Sequence, residues 1–98
     1  MKEKQKNLQI KKFIADETGI QISEYLSTLI CNPHRLVNAN NSDLEKIVKE
    51  FAPIYQRFRG TLDGSGELQE IMLFSLNLQC RIGNKSALLQ LLTRNNPE

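Results

Sequence analysis

The chain has 98 residues, 40% of them hydrophobic and 24% charged, and a net charge of +2. That is enough for one core and too little for two, and it excludes an intrinsically disordered chain. No apolar run approaches the roughly 20 residues that cross a bilayer, and the basic start MKEKQKNLQIKK lacks the apolar block of a signal peptide, so a cytoplasmic protein is expected.

The charge is uneven. Residues 1–12 hold five lysines against Glu3, whereas residues 13–56 hold six acids against three bases. Residues 1–7 read as a frayed basic arm. Ile10, Phe13 and Ile14 then form a helical stripe that ends at Thr18–Gly19, where glycine suits a helix C-cap. Ile22, Tyr25, Leu26, Leu29 and Ile30 repeat the spacing, with Ser23 as the cap and Asn32–Pro33 as the stop.

The stretch from His34 to Asn41 reads as a loop rich in asparagine. In SDLEKIVKEFAPIYQRF, Ser42 and Glu45 have capping-box spacing, and Leu44, Ile47, Val48, Phe51, Tyr55 and Phe58 share a face. Pro53 predicts a kink there, or two short helices meeting near Phe51, because proline has no N–H and clashes with the preceding turn. After the turn Gly60–Gly66, ELQEIMLFSLNLQCRI is apolar on more than one side, which predicts a helix in the middle of a bundle. Gly83 ends it and Asn84 caps a last helix carrying Ala87, Leu88, Leu91 and Leu92; residues 94–98 read as a frayed tail. The expectation is one all-α domain, a compact antiparallel four- to five-helix bundle over residues 1–98.

Chemistry-bearing patterns are sparse. Cys31 and Cys80 read as buried reduced thiols, with a disulfide as the alternative, and one histidine without a CxxC pair argues against zinc. Aligning Asp63, Ser65 and Gly66 with a calcium loop puts Thr61 and Met72 where carboxylates are required, so no calcium site is expected. His34 stands beside a proline rather than mid-helix, unlike a phosphotransfer histidine. No convergent acid, base or nucleophile points to an enzyme, and no cofactor is expected.

Two binding chemistries remain. IADETGIQISEYLSTL has the outline of a helix-turn-helix, which would read DNA through Gln21, Ser23, Ser27 and Thr28 with Lys11 and Lys12 on phosphate. Its second helix carries no cation, and Asp16, Glu17 and Glu24 face the polyanion, so this is the alternative. The leading expectation is protein–protein binding, with Lys85, Gln90, Arg94 and Asn95 as polar positions around the last helix.

The order from Tyr25 onward, with SDLEKIVKEFAPIYQRF, the Gly/Asp turn, LQEIMLFSLNLQCRIGNK and a short leucine helix, resembles bacterial proteins of one family over about residues 25–92. These are the small cytosolic immunity proteins that protect lactic-acid bacteria and streptococci from their own class IIa bacteriocins. The chain departs from that pattern by an additional N-terminal helical segment and a short tail after Leu92. The resemblance implies an antiparallel four-helix bundle whose C-terminal half recognises the bacteriocin-bound membrane receptor from its cytosolic side. A phage or secretion-system adaptor or chaperone has the same sequence requirements. The apolar breadth of Leu68–Ile82 also leaves a homodimer open.

Overall fold

A computed structural model describes residues 2–59 and 66–93. Helix α1 spans Lys2–Thr18, α2 Glu24–Cys31, a 3-10 helix Pro33–Asn38, α3 Asn41–Phe58, α4 Gly66–Ile82 and α5 Ser86–Thr93. No strand occurs among the described residues, and the architecture is an all-α helical bundle. The radius of gyration of 12.8 Å matches the value of about 13 Å for one folded domain of this length. Helix α1 packs chiefly on α2, α3 on α5, and α4 on the 3-10 helix and α2.

The first two helices form where their end signals lie. Gly19 takes φ +75°, and its N–H reaches the Ala15 carbonyl at 2.8 Å. Only a residue without Cβ adopts that conformation cheaply. The Thr18 hydroxyl donates to the Ile14 carbonyl and accepts from Ile20 N, which tightens the exit. Ser23 is extended, and its Oγ accepts from Leu26 N at 3.1 Å. Residues 2–7, expected as a frayed arm, are drawn into α1 from Lys2 onward.

Several boundaries and faces differ from expectation. The segment 34–41 is a 3-10 helix for most of its length, started by Pro33, whose missing N–H costs nothing in a first turn. The capping box of α3 uses Asn40 and Asp43, not Ser42 and Glu45. Asp43 N donates to Asn40 Oδ1 at 2.8 Å, and Asn40 N reaches back to Asp43 Oδ2 at 3.5 Å. A cap residue needs non-helical backbone, and Asn40 is extended while Ser42 lies already inside the helix. Pro53 does not divide α3, which is one helix from Asn41 to Phe58; it sits on the solvent side, where the carbonyl left without a donor can be hydrated. The last cap shifts as well, because Leu89 N bonds the Lys85 carbonyl, which places α5 after Lys85 rather than Asn84.

A single core joins every helix. Ile10, Ile14, Leu26, Ile30, Leu44, Ile47, Phe51, Ile54, Phe74, Leu78 and Leu92 are all essentially inaccessible. Phe13 of α1 stacks on Phe58 of α3 with centroids 5.6 Å apart, and Phe51 of α3 meets Phe74 of α4 edge-on at 4.9 Å. Arg81 ties α4 to the 3-10 helix by donating from Nε to the Leu36 carbonyl and from Nη2 to the Ala39 carbonyl. A cation is well placed there, at the carbonyl end of a helical turn.

Helix α4 is not central. It buries Leu68, Ile71, Phe74, Ser75, Leu78 and Ile82 on one side, while Leu73 and Leu76 face solvent at 48% and 58% exposure. A bundle of this size has too few neighbours to cover a helix all round. Cys80 is likewise exposed rather than buried, Cys31 is half-buried, and the two form no disulfide.

Candidate functional site

The helix-turn-helix segment keeps its shape, but most of its polar side chains are engaged internally. Glu50 of α3 accepts from Ser23 N at 2.7 Å and from Ser23 Oγ at 3.0 Å, so a carboxylate occupies the start of α2. A helix start is where a phosphate would otherwise be held. Lys11 donates to Glu24 Oε1 at 2.7 Å. Ser27 is buried and bonds the Glu24 carbonyl, and Thr28 Oγ1 accepts from Asn7 Nδ2 at 3.0 Å. Lys12 and Gln21 are exposed. Tyr25, placed by its spacing on the apolar face, points outward at 52% exposure, because Leu26, Leu29 and Ile30 fill that face.

Asn7 carries no motif and is the polar residue that seats α1 on α2. It is 7% exposed and donates to both Glu24 Oε2 and Thr28 Oγ1 at 3.0 Å, while its own Oδ1 is buried without a donor. Lys6 adds an exposed ion pair to Glu70 of α4 at 3.2 Å.

Of the positions expected around the last helix, Lys85 and Gln90 are exposed, and Arg94 and Asn95 lie outside the described residues. Lys85 lines a groove of about 470 Å³ with Ser86, Ala87 and Leu88 on one side and Asn41 and Glu45 of α3 on the other. The would-be calcium positions Thr61, Asp63 and Ser65 also lie outside the described residues. Among the described residues no three His, Cys, Asp or Glu side chains group as metal ligands.

Two surfaces meet at the 3-10 helix. On one side, Pro33, His34 and Val37 face Asn77, Cys80 and Arg81 of α4 across a groove of about 340 Å³. Val37 is 71% exposed, and the outer face of α4 continues away from this groove through Leu76 and Leu73. Residues 71–80 include no Asp, Glu, Lys or Arg, so this stretch of α4 carries no formal charge, and Leu73, Leu76 and Cys80 share its outer face with Asn77. On the other side, Arg35, Asn38 and Ala39 close a cleft of about 200 Å³ with Tyr25, Thr28 and Leu29 of α2 and Asp43 of α3. Burial, and then the nearby Asp43 carboxylate, raise the Tyr25 phenol above its ordinary value.

The sequence pointed to none of Asn7, Glu50, Arg81 or the Tyr25–Arg35–Asp43 group as a unit. Their partners lie 17 to 45 residues away in the bonds described, and no short pattern encodes such pairings. Among the described residues, no helix is long and apolar enough to cross a membrane. No protein-family model, curated protein or solved structure matches the chain.

Proposed function

We propose that the chain acts without catalysis, by binding another protein through the outer face of α4 and the adjoining 3-10 helix, and that the binding serves bacteriocin self-immunity. One observation carries the binding surface. Leu73 and Leu76 stand exposed on a stretch of α4 without formal charge, and Val37 is exposed on the 3-10 helix across the adjoining groove, whereas a purely solvated helix face is polar. Contiguous apolar surface with a depleted charge density is what the centre of a protein interface requires. The immunity assignment rests on the sequence resemblance over about residues 25–92, within which this face lies.

Support for DNA reading is weaker. The start of α2 is occupied by Glu50, Lys11 is paired with Glu24, and Ser27 is buried. Duplex affinity depends on cations free to replace counterions.

The test is expression in a bacteriocin-sensitive strain, challenged with a panel of class IIa bacteriocins. Resistance to a narrow subset is expected, and it should be lost in the double variant Leu73→Glu/Leu76→Glu while the purified variant keeps its helical circular dichroism. Unchanged sensitivity across the panel would remove the immunity assignment. Full protection by the double variant would remove the α4 face. Salt-dependent binding to random duplex at about 50 mM salt would favour the DNA alternative.

A further inference from the structure

The cleft between α2, the 3-10 helix and the start of α3 has a lining that the protein-binding face does not use. Arg35 and Asp43 both line it, yet they form no ion pair with each other. Asp43 Oδ2 takes one long bond from Asn40 N at 3.5 Å, and Oδ1 takes none among the described residues. A cation donor and an anion acceptor are therefore held apart around one small space. Leu29 and Ala39, both buried, and the outward-turned Tyr25 add apolar lining. The Thr28 hydroxyl accepts from Asn7, which leaves its hydrogen for a second acceptor, and Asn38 adds an amide.

Size narrows the ligand. At about 200 Å³ the cleft lies below the ~300–1,000 Å³ of pockets for drug-sized ligands, which suits a smaller molecule. Charge narrows it further. A purely anionic ligand would meet Asp43, and a purely cationic one Arg35. A molecule carrying both charges close together satisfies both walls in one pose, and an apolar side chain then covers Leu29, Ala39 and the Tyr25 ring. A guanidinium–carboxylate contact and an ammonium–carboxylate contact are the stronger class of hydrogen bond.

We infer that this cleft binds a small zwitterion, specifically a free apolar α-amino acid, with its carboxylate on Arg35 and its ammonium on Asp43. The cleft shares the 3-10 helix with the proposed binding face but uses none of Leu73, Leu76 and Val37, so ligand titration and the immunity assay can fail separately.

The full chain, labelled with nitrogen-15, is titrated with L-leucine and L-phenylalanine and followed by amide chemical shifts. Saturable shifts centred on Tyr25, Arg35, Asn38 and Asp43 are expected at millimolar concentrations or below. N-acetyl-leucine, which lacks the ammonium, and leucinamide, which lacks the carboxylate, should each bind about tenfold more weakly or worse. Arg35→Gln and Asp43→Asn should each lower leucine affinity by a similar factor with circular dichroism unchanged. Arg35 is exposed and outside the capping box, so its variant keeps the test valid if Asp43→Asn loosens α3. Absence of localised shifts up to about 10 mM, where affinity would be weaker than about 3 kcal/mol, overturns the inference. So does equal binding of the blocked ligands or of the Arg35 variant.

Discussion

At the scale of single residues, Tyr25 is the side chain whose environment departs most clearly from what its sequence position implied. Spacing put it on the inner face of α2, and it lies instead on the rim of a cleft beside Asp43. Its raised phenol follows from burial first and from the Asp43 carboxylate second, both of which disfavour a phenolate. The folded state therefore holds the Tyr25 proton more tightly than the unfolded chain does. The corresponding stability is fully present below the ordinary tyrosine value near 10 and is lost as pH rises through the folded value. Ultraviolet titration should place one tyrosine above the ordinary range, and Tyr25→Phe should remove that component. Asp43→Asn should bring it part of the way down, because burial remains. Denaturant midpoints measured at about pH 9 and about pH 11 should fall less in Tyr25→Phe than in the parent. An ordinary titration of Tyr25 would contradict this account. Little of this was legible beforehand. Tyr25, Arg35 and Asp43 sit in three different elements, and only the chain path through Pro33–Asn38 brings them together.

At the scale of elements, the signals that worked were those with a single local solution. Gly19 and Gly83 occupy positive φ at helix ends, where almost no other residue fits, and Ser23 is followed directly by a helical stripe. The signals that misled had two local solutions. Ser42-x-x-Glu45 and Asn40-x-x-Asp43 both satisfy capping-box spacing, and tertiary packing chose between them by burying Ala39 and ending the 3-10 helix there. Asn40→Ala should accordingly destabilise the protein by about 1 kcal/mol, the usual loss for a helix cap. Ser42→Ala should change stability by less than about 0.5 kcal/mol, as for an ordinary exposed position. Urea denaturation of the two variants measures both, and the reverse order would return the cap to Ser42. Helix α4 failed for a different reason. Its sequence is apolar nearly all round, but periodicity does not count the neighbours available, and Leu73 and Leu76 were left outside. That failure is what made the proposed binding face visible only in three dimensions.

At the scale of the molecule, the question is whether α1 is an appendage to a four-helix unit or part of the same core. The proposed immunity assignment concerns the chain from about residue 25 and so leaves α1 out. Packing does the opposite. Ile10 and Ile14 are fully buried in the common cluster, and Phe13 stacks on Phe58 at the far end of α3. Burial of each isoleucine contributes about 1.5–3 kcal/mol, so the pair accounts for roughly 3–6 kcal/mol before the surface they cover on α2 and α3 is counted. Whole domains are stable by only about 5–15 kcal/mol. The polar links matter less to this sum, since the Lys6–Glu70 and Lys11–Glu24 pairs are largely solvated, and such pairs give about 0–1 kcal/mol. Asn7 serves orientation instead, because its two donors find Glu24 and Thr28 in one register of α1 on α2. Removing residues 1–18 should therefore abolish cooperative unfolding and leave a chain that binds hydrophobic dye. A point variant separates packing from length: Ile14→Ala should cost about 2–5 kcal/mol while retaining a cooperative transition. If residues 19–98 instead unfold in one sharp step with native helicity, α1 is an added element. Residues 19–98 would then fold by themselves, and any role for the lysines of α1 would have to be sought in binding rather than in stability.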